Sequence, residues 1–105
     1  MKEVTPSELR RMQDAKEKFV LIDVREPYEV EACSIGGASL PMSQLVDRIN
    51  EVPKDVPVVV HCRSGSRSVA VIDALSSRYG YTNLINLKGG ILAWKEAIDP
   101  TLVCD

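Results

Sequence analysis

Short apolar runs alternating with amphipathic stretches predict an α/β fold built on a mainly parallel sheet with helices on both faces. Three observations carry this. Residues 19–24 (Phe-Val-Leu-Ile-Asp-Val) and 57–62 (Pro-Val-Val-Val-His-Cys) are apolar, rich in β-branched side chains and not alternating, as in strands buried on both faces. The stretches between them repeat apolar residues at helical spacing. Polar clusters follow these runs directly: Asp23, Arg25 and Glu26 after one, and residues 62–68 after the other. In parallel sheets that end of the strands is where ligands bind.

The elements follow in order. Thr5-Pro6-Ser7-Glu8 is a capping box with proline at the first helical position, and its helix is expected through Leu9 and Met12 to about Lys16. The residues before it read only as the approach to that cap, with no apolar export segment. After the strand at 19–24, Glu26-Pro27-Tyr28-Glu29 turns the chain into a short helix. Residues 34–41, with Gly36, Gly37 and Pro41, read as a loop with a brief extended stretch. Ser43 caps an expected helix carrying Leu45, Val46 and Ile49 on one face and ending before Pro53. The strand at 57–62 leads through the polar loop into a helix from about Ser66 to Tyr79, with Val69, Ile72 and Leu75 facing inward and Gly80 ending it. Residues 83–87 form a third strand, Lys88-Gly89-Gly90 a turn that bounds the pocket, and residues 91–97 a last helix with Trp94 in the core.

With 105 residues the chain is expected to form one domain, 1–105. Its 45% apolar and 27% charged residues are ordinary globular composition, and the longest apolar run is far too short to span a bilayer. A net charge of −2 argues against a nucleic-acid or anionic-membrane partner, so any affinity for an anion must be local. Three cysteines (Cys33, Cys62 and Cys104) with no Cys-x-x-Cys pair read as free thiols in a reducing, cytoplasmic setting. Only His61 could join them as a nitrogen ligand, so neither a metal site nor a cofactor is expected.

The chemistry concentrates at Cys62, which stands between a buried strand and a helix. The first N–H groups of that helix lack intrahelical partners, and the helix dipole adds partial positive charge. Gly65 lets several of them converge, while Arg63 and Arg67 add fixed charge. Such a place lowers a thiol pKa, by about one to several units. The residues therefore predict a nucleophilic or sulfur-carrying cysteine whose loop binds anions through Arg63, Ser64, Gly65, Ser66 and Arg67. Ser64 and Ser66 offer hydroxyls or simply small size, and His61 reads as a buried, hydrogen-bonded strand residue, not a catalytic base.

The loop His-Cys-Arg-Ser-Gly-Ser-Arg-Ser (61–68) resembles the active-site loop of the rhodanese family. The segments at 21–29, 35–41 and 87–94 resemble that family's Asp-Val-Arg, Ile-Pro-Gly-Ala and Gly-Gly…Ala-Trp motifs in the same order. The resemblance implies a rhodanese-like three-layer fold with a five-stranded sheet. It further implies sulfur transfer of the thiosulfate sulfurtransferase type, through a persulfide on Cys62, from a small sulfur-anion donor to cyanide, a thiol or a protein acceptor. Asp23, Arg25 and Ser68 would support the loop; for Asp23 and Arg25 a plain structural ion pair is an equal and compatible reading. Cys33-Ser34 stand where the family often has Gly-His, and Gly36 replaces its proline. Cys33 is thus either a second functional thiol or a packed spare one, and Cys104, one residue from the end, a surface thiol.

Two other readings stay open. The Glu3-Val4-Thr5-Pro6…Leu9…Met12 start and the 24–29 segment look similar to domains that relay sulfur to ubiquitin-like carriers in molybdopterin or thiamine synthesis. Cysteine phosphatases and arsenate reductases of related fold use His-Cys-x5-Arg, but here the spacing is Cys-x4-Arg, a tighter cradle for a tetrahedral oxyanion.

Overall fold

Val58, Val59 and Val60 lie at the centre of the sheet, and each is essentially inaccessible to water. Successive strand residues point to opposite faces, so an unbroken valine run needs cover on both. The computed structural model, which describes residues 1–104, provides it. The elements are β1 (Glu3–Val4), α1 (Pro6–Asp14), β2 (Val20–Asp23), α2 (Pro27–Ala32), β3 (Ala38–Ser39), two 3-10 turns (Met42–Gln44 and Ile49–Glu51), β4 (Val58–His61), α3 (Ser66–Tyr79), β5 (Leu84–Leu87) and α4 (Gly90–Ala97). The strands are all parallel, in the order β1-β5-β4-β2-β3. On one face Val58 and Val60 pack with Ile22, Ile72 and Leu75. On the other, Val59 packs with Leu9, Leu21, Ile85 and Trp94, beneath α1 and α4. No helix among the described residues is long and apolar enough to cross a membrane.

The expected architecture is present, with four differences. Residues 3–4 form a strand against β5, through Asn86 N–H to the Lys2 carbonyl (2.9 Å) and Lys88 N–H to the Val4 carbonyl (2.9 Å). Two residues are too few to show any period. The helix expected from Ser43 is instead a pair of 3-10 turns. A 3-10 turn rises about 2.0 Å per residue against about 1.5 Å in an α-helix, so a short segment reaches farther across the sheet. Leu45 and Val52 still reach the core, whereas Val46 faces solvent. On α3 the inward residues are Ser68, Val71, Ile72 and Leu75, while Val69 is more than one-third exposed; the buried face is rotated by one position from the expected one.

The fourth difference corrects the cysteine reading. Cys33 and Cys104 are not free: they form a disulfide, with Cα atoms 5.2 Å apart, between residues 71 positions distant in sequence. The segment after α4 folds back to the end of α2, which no local spacing rule reveals. Among the described residues Cys62 is the one free cysteine, and it is buried.

Candidate active site

β4 ends at His61, and Cys62 begins the turn into α3. Gly65, at φ +114°, is the residue before α3, in a backbone region that favours glycine. That conformation aims its N–H at Cys62 Sγ, 3.1 Å away, and the Ser68 N–H approaches the same sulfur at 3.4 Å. The Ser68 hydroxyl is 3.6 Å from it. Burial pushes the thiol pKa up while the N–H groups of Ser68, Gly65 and Arg67 push it down, and the thiol is held below its ordinary value. Cys62 has no exposed surface.

The far side of the loop is held by the start of α4. Ile91 and Leu92 N–H groups donate to the carbonyls of Cys62 (2.9 Å) and Arg63 (3.1 Å). This turns the loop carbonyls toward α4 and leaves its N–H groups for the sulfur. Gly90 is essential to that approach: a Cβ there would lie 2.6 Å from the Cys62 carbonyl oxygen and 2.5 Å from that of Arg63.

The two arginines of the loop have separate partners. Arg67 donates to both carboxylate oxygens of Glu29 on α2, at 2.6 and 2.9 Å. Its guanidinium pulls the Glu29 carboxyl down to about 2. Arg63 reaches toward the Cys104 carbonyl at 3.4 Å. Ser64 and Ser66 are exposed.

Asp23 and Arg25 lie together at the end of β2. Arg25 Nη2 is 2.7 Å from Asp23 Oδ2, and both side chains are 2% exposed. Arg25 also donates to the carbonyls of Cys33 (2.7 Å) and Glu29 (3.3 Å), tying β2 to α2. His61 is fully buried as expected, but neither ring nitrogen has a hydrogen-bond partner, and Nε2 is 3.7 Å from Asp23 Oδ2. Burial lowers its pKa, which keeps the ring neutral.

The structure therefore gathers Cys62, Gly65 and Ser68 into one cradle, turns the Arg67 guanidinium to Glu29 and that of Arg63 toward the Cys104 carbonyl, and places Asp23–Arg25 in the scaffold beside it. The close approach expected of the Gly89-Gly90 turn is present at Gly90, whereas sequence reasoning missed Glu29 and Asn86. Asn86 is buried on β5 and accepts a 2.6 Å hydrogen bond from the Ser68 hydroxyl. A lone amide in the run Leu-Ile-Asn-Leu was the available signal, since buried polar groups need partners.

A buried thiol ringed by backbone donors at a strand–helix junction of an all-parallel sheet defines a cysteine-centred anion cradle on an α/β scaffold. The rhodanese-like domain family matches residues 5–97, and the chain belongs to that family. It is 42% identical over 86 residues to a protein of Allochromatium vinosum named sulfurtransferase, covering 81% of this chain and 78% of that one. It is 35% identical over 103 residues to the probable adenylyltransferase/sulfurtransferase MoeZ of Mycobacterium tuberculosis, covering 95% of this chain but only 26% of that protein. The fold superposes on a rhodanese-like domain protein of Staphylococcus aureus with a TM-score of 0.82, at 25% identity over 100% of this chain and 99% of the other. It also superposes on a thiosulfate sulfurtransferase of Pseudomonas aeruginosa with a TM-score of 0.81, at 27% identity over 92% of this chain and 19% of that one.

Proposed function

We propose that this chain, acting as one domain over residues 1–105, transfers sulfane sulfur through a persulfide on Cys62, with thiosulfate as a competent donor. The observation that carries the reading is the convergence of the Gly65 and Ser68 N–H groups on a buried Cys62 Sγ. The Cys62 thiolate attacks the outer sulfur of thiosulfate. A new S–S bond forms at Cys62, the S–S bond of thiosulfate breaks, and sulfite leaves with its electron pair. The loop N–H groups, with the charges of Arg63 and Arg67 in the same loop, hold the departing anion. An acceptor nucleophile then attacks the outer sulfur, and Cys62 leaves as a thiolate that the cradle already stabilises. Because Cys62 is wholly covered, its loop must open as the donor enters. Asp23 and Arg25 act as scaffold, holding the end of β2 and α2 in place.

The intact-protein mass after exposure to thiosulfate alone tests this. Gain of one sulfur atom, absent in Cys62→Ser and removed by cyanide, is the expected result. A folded, titratable Cys62 that takes up no sulfur rejects thiosulfate as donor.

A protein acceptor is the second reading, and the adenylyltransferase/sulfurtransferase relative favours it. The outer sulfur of the Cys62 persulfide would then attack the adenylated C-terminal carboxyl of a small carrier protein, with AMP leaving, and an added thiol reductant would cleave the acyl disulfide so formed to a thiocarboxylate and free Cys62, itself ending as a disulfide; the thiocarboxylate is read by mass. Transfer to cyanide but to no such carrier rejects that acceptor.

A further inference from the structure

The Ser68 hydroxyl has one proton and three acceptors around it: Asn86 Oδ1 at 2.6 Å, the Gly65 carbonyl at 3.0 Å and Cys62 Sγ at 3.6 Å. The Gly65 carbonyl already receives the Val69 N–H at 3.1 Å. Asn86 Oδ1 has no other donor among the described residues. Turning the amide over would set Asn86 Oδ1 against Glu3 Oε2, because Nδ2 now faces that oxygen at 3.0 Å and a carboxylate only accepts. Glu3 therefore orients the Asn86 amide, and the amide claims the serine proton. What Ser68 offers Cys62 is a lone pair, to which the S–H of the neutral thiol donates.

From this chain of contacts we infer that Asn86 is a positioning residue that acts through Ser68 as a brake on Cys62 ionisation. When Cys62 loses its proton, the Ser68 hydroxyl has two choices. It can turn to the thiolate and orphan the buried Asn86 oxygen, or stay with Asn86 and leave the thiolate to the backbone N–H groups. Either choice cancels most of what a hydroxyl normally gives an anion. The thiolate of Cys62 is then held chiefly by Gly65 and Ser68 N–H, and the serine–amide pair withholds from it the hydroxyl that would otherwise lower its pKa.

Other titratable groups lie on the elements around this sulfur. Arg63 and Arg67 belong to its own loop, Glu29 on α2 is paired to Arg67, and Asp23–Arg25 and neutral His61 lie at the ends of β2 and β4. The decisive substitutions leave all of these charges unchanged. The readout is the pH midpoint of the ultraviolet thiolate absorbance in the oxidised chain, where Cys62 is the free thiol. Asn86→Leu is expected to lower the midpoint by about one pH unit, since the hydroxyl then turns to the sulfur without orphaning an oxygen. Ser68→Ala alone is expected to leave the midpoint nearly unmoved, and to raise it when added to Asn86→Leu. An unchanged or raised midpoint in folded Asn86→Leu overturns the inference. If that variant does not fold, Ser68→Ala decides: a clearly raised midpoint means that the hydroxyl serves the thiolate in the wild type, and the inference fails. Because the titration involves no sulfur donor, its failure is separable from failure of the persulfide reading.

Discussion

Two sulfur sites in this chain contrast in how they are held. Cys62 is a single thiol with no exposed surface, met by two backbone N–H groups and a serine hydroxyl. Cys33 and Cys104 are bonded to each other at the end of α2, with the Arg25 guanidinium 3.6 Å from Cys33 Sγ. The same element therefore serves two purposes: at Cys62 the surroundings favour an anion, and at Cys33–Cys104 the bond joins distant parts of the chain. What separates them is the company of the sulfur. Three backbone groups (the Gly65 and Ser68 N–H and the carbonyl fixed by α4) orient Cys62, whereas Cys33 closes a short helix.

The contrast breaks most completely at Cys62 itself. Cys62→Ala is expected to abolish sulfur loading with the fold intact, while Cys33→Ser, which removes the disulfide, keeps loading within a few-fold; mass spectrometry of the loaded protein checks both. Equal losses would mean that the two sites work together.

Next comes the scaffold between them. Asp23 and Arg25 are each 2% exposed, and removing one leaves the other charged and buried without a partner. Arg25→Ala is expected to lower unfolding free energy by about 3–5 kcal/mol in urea titration. A loss under 1 kcal/mol would show that water or another cation takes the vacated place.

Reducing the disulfide is expected to cost up to about 4 kcal/mol, because the cross-link closes a long loop of the unfolded chain. Cys33→Ser with Cys104→Ser should reproduce the effect in the absence of reductant, and a stability difference between the double variant and the reduced wild type would point to an effect of the thiols themselves.

The smallest effects follow from pH. The Arg67 guanidinium pulls the Glu29 carboxyl from an ordinary 4.5 to about 2. A carboxyl lowered on folding contributes stability in full above 4.5, and that contribution is lost as pH falls toward 2. Neutral His61, lowered by burial, likewise contributes above its ordinary 6.5 and loses that contribution as pH falls below it. Urea midpoints for Glu29→Gln should therefore depend less on pH than those of the wild type below 4.5; a parallel curve would assign the acid sensitivity elsewhere.

Much of this was legible in the chain. The capping box at Thr5–Glu8 is present, with the Glu8 N–H on Thr5 Oγ1 at 3.1 Å, because all its partners lie within one turn. Gly65 and Gly80, both at positive φ, bound α3 as their lack of a Cβ suggests. The buried strands were visible because cover on both faces demands unbroken apolar runs. Arg67 was read as part of the cradle, but its tightest partner is Glu29, which lies 38 positions away and whose distance in space no local pattern encodes. Val69 was placed inward because apolar spacing alone does not reveal that the polar Ser68 begins the buried face; Ser68 goes inside because Asn86 is there to meet it.

By itself, then, the sequence determined the α/β class, the central strands, most helix boundaries and the cysteine loop, since each depends on side-chain period, caps or glycine torsions within a few residues. Only the tertiary structure decided the partners: the β1–β5 pairing, Glu29 on Arg67, Gly90 beneath the loop, Asn86 on Ser68 and Cys33 on Cys104. Those contacts arise where parallel strands bring remote segments to one end of the sheet, and their energies depend on distance and burial that exist only after the chain has closed on itself.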